Sequence, residues 1–388
     1  MTVRLPLLAL GIGAFGIGIS EFAPMGMLPR MAADLGVSIP AAGLLVSAYA
    51  LGVMLGAPLM TLATARLDRR WALVLMMGIF TLGNLAAALA DGYAMLMLAR
   101  VVTSLCHGVF FGVGAVVAAR LVPPERRASA VAAVIMGLTL ANVAGVPLAP
   151  WVAQTLGWRA AFWAFAAWGL ASMAVLWLAL PPLPAGTRGG LRQELGVLRR
   201  PAVLLALALT VISSAAMFTI FTYIAPILTE VTGTGTGFVT AMLVVFGIGI
   251  TLGNWLGGRF ADRSVERTLI ATLVALMVLT AGFAVTMHWP WPAAGTFLLW
   301  SVATFVMVPP LQMRVMQAAS EAPNLASAVN VGAFNLGNAV GAAAGGAVIR
   351  LGLGYPALAL AASAIAAGGL VLVLAVRRAR VAAMPCAA

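Results

Sequence analysis

The sequence predicts an all-α membrane protein of twelve transmembrane helices in two pseudo-symmetric six-helix halves, on three observations. Of its 388 residues, 63% are hydrophobic and only 8% are charged. A soluble domain averages about 25% charged residues and under half apolar ones, so too few polar groups are present to cover a water-soluble fold. Apolar runs of roughly 20 residues, enough to cross the hydrocarbon core, recur along the chain. The charges between those runs alternate sharply from one side to the other.

Taken in order, the runs fall at about 5–29, 41–63, 71–90, 94–121, 128–156, 160–180, 202–229, 237–258, 268–287, 293–317, 324–349 and 355–376. A β-barrel would show short alternating segments instead. The first run follows Arg4 as in a signal peptide, but continues through Glu21 to Pro29 without a cleavage pattern. It reads as a retained span. Every positive residue is Arg. With both termini on one side, that side collects 18 of the 22 arginines, among them Arg66, Arg69, Arg70, Arg120, Arg126, Arg127, Arg259, Arg263 and Arg267. The other side holds Arg30, Arg159 and Arg350, and Arg100 lies inside a span. Positive loops stay cytoplasmic, so both termini are expected in the cytoplasm of a bacterial inner-membrane protein. Contact with anionic lipid explains the net charge of +12 better than nucleic acid does.

Cys106 and Cys386 form neither a disulfide framework nor a metal-ligand spacing. The longest polar interruption, PPLPAGTRGGLRQELGVLRRP, sets the expected organisation: a bundle at 1–180, a cytoplasmic linker at 181–201, a second bundle at 202–376 and a cytoplasmic tail at 377–388. The halves echo each other at an offset near 197. Gly52 and Gly56 in LGVMLG match Gly249 and Gly253 in IGITLG, ASAV at 128–131 recurs at 326–329, and LGWRA at 156–160 is matched by LGYPA at 353–357. Internal repeats of this kind build secondary transporters, with the substrate site between the repeats.

Several motifs then resemble the major facilitator superfamily. Loop 8–9, GGRFADRSVER, is similar to the cytoplasmic motif G-x-x-x-D-R-x-x-x-R, which places Gly258, Asp262, Arg263 and Arg267 in it. Loop 2–3, LATARLDRR, keeps Arg66, Arg69 and Arg70 but has Ala65 in the acidic position and Asp68 where Gly usually stands. Span four, RVVTSLCHGVFFG, looks like R-x-x-x-G-x-x-H-G-x-F-F with Ser104 for a Gly. Span five, GLTLANVAGVPLAP, resembles the antiporter motif through Gly137, Asn142, Gly145 and Pro147. GWRAAFW in loop 5–6 and SEFAPMGMLP in span one complete a resemblance to the sugar-efflux and chloramphenicol-resistance branch of the drug:proton antiporter-1 family. It implies the major facilitator fold, spans one and four lining a central cavity, and export of small molecules.

Glu21 is the most informative residue. Counted from Pro29 at about 1.5 Å per residue, it lies roughly 12 Å deep. An ionised carboxylate at such depth costs at least ~2.5 kcal/mol and is a functional candidate by default, though a structural hydrogen bond is the alternative. Arg100 sits at nearly the same depth, about 9 Å by the same rise, and is its candidate partner or else a tie between helices. His107, two turns further along span four and on nearly the same face, either relays a proton or binds substrate, or is a packed neutral ring. These three are the proton-coupling candidates.

Asn142, Phe218, Tyr223, Asn335 and Asn338 are the substrate-binding candidates. Each competes with a structural reading, since polar side chains also glue membrane helices and aromatic ones also pack. Gln312 belongs with the same uncharged polar groups. The small residues Gly137, Gly145, Gly249, Gly253 and Gly257, with Pro147, either gate the cavity or pack statically. Without lysine no Walker A motif exists, so no P-loop hydrolyses ATP here.

The expectation is a proton-coupled exporter of drug-like or sugar-like molecules working by alternating access, with a proton-linked importer or uniporter as the alternative. An enzyme is not expected. The expected partners are a small-molecule substrate, protons and membrane lipid, without cofactor, metal or nucleic acid, the chain acting as a monomer.

Overall fold

A computed structural model of the chain describes residues 4–123, 126–184, 196, 199–321 and 323–382. Most of the expected linker and the end of the tail, with Cys386, lie outside the described residues. All twelve apolar runs are helical. Among the described residues ten helices are long and apolar enough to cross a membrane, and an eleventh span is a bent pair, Ser129–Gly145 and Leu148–Thr155, meeting at 48°. The remaining run is the 28-residue helix Pro323–Arg350. Its asparagines and glycines make it less apolar than the rest.

The helices are α1 Arg4–Asp34, α2 Ile39–Thr64, α3 Arg69–Ala88, α4 Tyr93–Ser104, α5 His107–Arg120, α6 Arg127–Leu140, α7 Leu148–Thr155, α8 Trp158–Ala179 and α9 Pro201–Phe221. They continue as α10 Thr236–Arg263, α11 Val265–Thr286, α12 Pro290–Val306, α13 Val308–Ala318, α14 Pro323–Arg350 and α15 Gly354–Ala382. Span four is α4 and α5 joined by a turn at Leu105 and Cys106, and span ten is α12 followed by α13. Span five passes from α6 through a π-turn, Ala141–Gly145, into α7 just after Pro147. Proline removes the backbone donor that would continue the ladder, so the bend falls where the sequence places it.

The chain divides into two compact units, Met1–Leu191 with Thr222–Gly247, and Arg192–Phe221 with Ile248–Ala388. In the first, small residues let the backbones approach, as expected without a hydrophobic drive between helices. A Cβ at Gly52 would strike the Ser104 hydroxyl, one at Gly56 would stand 2.7 Å from Leu105, and one at Gly83 would strike Thr103. Gly137 and Gly145 pack on α1, against Gly11 and Ile19. The segment after α9 lies against this bundle too: Tyr223 against Gly43, Leu243 beside Gly26, and Gly247 on the backbone of Asn142 and Val143.

Loops of the first unit are fixed by short polar clasps. Asp68, the departure in loop 2–3, caps α3 by accepting from Arg70 N at 2.8 Å and Trp71 N at 3.3 Å. Its other oxygen accepts from Leu183 N at 2.6 Å, and Arg69 N donates back to Leu183 O at 3.0 Å. Arg70 lies 3.7 Å over the Trp177 ring. At the opposite end Trp158 and Arg159 of the GWR sequence both donate to Asp34, at 2.9 Å for the Trp158 indole, and Arg159 also reaches Ala90 O at 2.8 Å. Gly157 enters that helix at φ 84°, a backbone region open to glycine.

In the second unit α10 packs on span ten through Gly249, Gly253 and Gly257, which face Ser301, Val302 with Phe305, and Val306. A polar ladder, buried at Thr210 and Asn330 and half-buried beyond, joins α9, α13 and α14: Thr210 donates to Asn330 at 2.8 Å, Asn330 to Gln312 at 2.6 Å, and Gln312 to Ser327 at 2.6 Å.

Candidate functional site

Four helices of the first unit bring four ionisable side chains together in the middle of the bundle: Glu21 from α1, Tyr49 from α2, Arg100 from α4 and His107 from the start of α5. All are buried, and Arg100 is 0% exposed. The Arg100 Nη1 donates to the carbonyl of Ser20 at 2.7 Å, and its guanidinium carbon lies 4.2 Å from the centroid of the Tyr49 ring. A desolvated cation over an aromatic face gains on the order of 2 kcal/mol, part of what offsets the loss of water. The Nε and Nη2 of Arg100 are buried without a hydrogen-bond partner.

The His107 Nδ1 faces two oxygens. The Tyr49 hydroxyl is 3.2 Å away and the Glu21 Oε2 is 3.8 Å away. Phe111 covers the imidazole, its ring centroid at 5.1 Å. Behind Glu21, Ser20 donates to Asn84 Oδ1 at 3.0 Å while Asn84 donates to Phe80 O at 2.8 Å, so the α1 backbone is held from the α3 side. Cys106 is free and buried, its thiol donating to Thr103 O at 3.0 Å. Among the described residues there is no group of three or more His, Cys, Asp or Glu that could hold a metal.

The three proton-coupling candidates therefore stand in one cluster. Within it His107 is the cationisable side chain beside the carboxylate, and Arg100 turns one of its nitrogens to the backbone just before Glu21. Tyr49, Ser20 and Asn84 were not singled out from the sequence. A tyrosine inside an apolar span has no periodic signal, although its phenol must find a partner when buried.

The other candidates fall in both units. Asn142 lies in the π-turn, donates to Leu138 O at 2.9 Å and leaves its Oδ1 buried without a partner. Tyr223 is buried in the first unit beside Gly43. Phe218, Asn335 and Asn338 belong to the second unit. There Phe218 meets Phe221 edge-on at 6.2 Å, Asn335 donates to Val331 O at 3.0 Å, and Asn338 accepts from Ser214. Asn335 also leaves its Oδ1 buried without a partner. In loop 8–9 Asp262, Arg263 and Arg267 are exposed, and a Cβ on Gly258 would meet nothing within 4 Å. Arg66 is exposed as well, while Arg69 and Arg70 are half-buried and leave their Nε atoms without a hydrogen-bond partner. Pro147 stands at the bend of span five.

A membrane bundle built from two sequence repeats, with ionisable groups enclosed in one of them, defines a secondary transporter. The Major Facilitator Superfamily matches residues 10–333, and the chain belongs to that family of transporters. The chain is 55% identical over 373 residues to the inner membrane transport protein YdhP of Escherichia coli strain K12, across 96% of each chain. It is 33% identical over 355 residues to the chloramphenicol resistance protein of Streptomyces lividans, across 90% of each. The solved structure of the nucleoside transporter NupG superposes with a TM-score of 0.80 at 14% identity, covering 96% of this chain and 99% of that one. That likeness shows the fold.

Proposed function

We propose that the protein exports small organic molecules across the bacterial inner membrane in exchange for protons, by alternating access, with both termini in the cytoplasm. The observation that carries this reading is the carboxyl of Glu21, buried in a span and 3.8 Å from His107 with Arg100 enclosed behind it. A carboxylate withheld from water is stable only while a proton or a cation compensates it. Coupling requires that substrate and proton favour different states of the protein. The glycines of span five, Gly137 and Gly145, and the bend at Pro147 supply a helix able to repack between such states. Asn142, Tyr223, Phe218, Asn335 and Asn338 remain the candidate substrate contacts.

Export of a drug-like or sugar-like solute is supported by the antiporter pattern of span five and by likeness to a chloramphenicol resistance protein. The inner membrane as location follows from likeness to YdhP. The division of the sequence into two six-helix halves, residues 1–180 and 202–376 joined by 181–201, belongs to the same proposal. The test is transport in proteoliposomes under an imposed pH gradient, with radiolabelled chloramphenicol and lactose as probes. Proton-driven movement of either probe is expected in the wild type and is expected to vanish in Glu21→Gln, while binding persists. Full proton-driven transport by that variant would sink the assignment.

A further inference from the structure

We propose that Tyr49 is a positioning residue of the coupling site: its hydroxyl occupies the His107 nitrogen that Glu21 would otherwise take, while its ring keeps Arg100 in place. The inference rests on the reading of Glu21 as the coupling carboxylate. One ring nitrogen carries either one hydrogen or one lone pair, so it bonds one oxygen at full strength. The Tyr49 hydroxyl at 3.2 Å is within hydrogen-bond range of Nδ1, and the Glu21 Oε2 at 3.8 Å is outside it but within ion-pair range. The two oxygens ride on different helices, α2 and α1. A displacement of one helix against the other by less than 1 Å, about the play in a packed interface that repacks, exchanges the partners.

The ionisable groups facing that nitrogen are Glu21 from α1 and Tyr49 from α2; of their ionisable neighbours, Arg100 from α4 lies over the Tyr49 ring and Cys106, at the turn before α5, turns its thiol to Thr103 O. The α3 side offers only the neutral Asn84. With Glu21 ionised and the imidazole protonated, the carboxylate competes for Nδ1; with Glu21 protonated the competition lapses and the phenol keeps it. Tyr49 thereby sets how readily the carboxylate and imidazole pair, and so the pH range over which the exchange operates. The same residue fixes the cation from its other side, since the Tyr49 ring is what covers Arg100 at 4.2 Å.

Tyr49→Phe separates the two roles, because it keeps the ring and removes the oxygen. The chain has two histidines, and His288 is exposed, so nitrogen-15 histidine labelling in lipid nanodiscs gives one site signal and one internal reference. The expected result is a shift of the His107 Nδ1 resonance and of its pH titration in Tyr49→Phe, with the His288 signal unmoved. In proteoliposomes the same variant should displace the pH profile of exchange and lower turnover about 3- to 10-fold, the range of one net hydrogen bond, at unchanged apparent affinity. Against a His107→Gln background Tyr49→Phe should displace the profile no further. Tyr49→Leu, which also uncovers Arg100, should lose more turnover than Tyr49→Phe. An unmoved Nδ1 resonance in Tyr49→Phe overturns the proposal, as does an equal displacement of the pH profile with and without His107. Retained proton coupling in Glu21→Gln, by contrast, would remove the coupling role and leave a shifted Nδ1 resonance to establish the Tyr49–His107 hold alone.

Discussion

The two repeats agree in how they pack and disagree in what they enclose. At an offset of 197 residues, Gly52 and Ser104 of the first correspond to Gly249 and Ser301 of the second. In both a glycine admits a serine hydroxyl from the neighbouring span. The same offset carries Glu21, Tyr49, Arg100 and His107 onto Phe218, Phe246, Phe297 and Thr304. Those four are buried as well; Phe297 stacks on Trp300 at 5.3 Å and Thr304 donates to Trp300 O at 2.8 Å. One set of steric instructions was thus written twice, while the chemistry was written once. Ionisable groups in hydrocarbon are expensive wherever they sit, so a second set would add to that cost.

That contrast can be broken by exchanging residues between the repeats. Arg100→Phe copies the second repeat into the first and should bring proton-driven exchange of chloramphenicol or lactose in proteoliposomes to background; exchange at half the wild-type rate would show that the guanidinium is dispensable. The reciprocal Phe297→Arg buries a cation in an apolar setting, which costs about 2.5–3.5 kcal/mol at a helix centre. A marked loss of folded yield and a lowered thermal unfolding midpoint are expected, with neither seen for Phe297→Leu.

Changes on the packing side sharpen the same comparison. Gly52→Ala and Gly249→Ala should each destabilise by about 1–3 kcal/mol through overpacking, and by similar amounts in thermal unfolding. A large inequality between them would mean that the repeats share sequence without sharing packing. Smallest of all, Ser104→Ala and Ser301→Ala each remove one hydroxyl that donates to its own helix, at 2.6 Å to Val101 O and 2.8 Å to Leu298 O. A cost of about 0.5–1.5 kcal/mol is expected for each, with exchange unaffected in both.

Much of this fold was legible because a bilayer imposes length and polarity rules on each segment separately. Twelve runs, their order and the glycine pairs follow from the chain read in one dimension. Breaks within spans were less accessible. Pro147 announces the bend in span five and Pro226, four residues past Thr222, the interruption at Thr222 and Tyr223, whereas the turn at Leu105–Cys106 has no proline to announce it. Within the site, depth counting placed Glu21 and Arg100 at one level and the seven-residue spacing put His107 nearby. Depth says nothing of azimuth, however. Which nitrogen of Arg100 meets the Ser20 carbonyl depends on how α1 and α4 face each other, and that Tyr49 stands over the guanidinium depends on how α2 is rotated about its own axis. No pattern in a uniformly apolar helix reports that rotation.

Asp68 shows how a departure from a family pattern can take on a different task. By gripping Leu183 while capping α3, it moors the segment leaving span six to the loop between spans two and three. The chain is therefore fastened at Leu183 to that loop by two backbone-level hydrogen bonds, three residues after Leu180 caps the last helix of the first half.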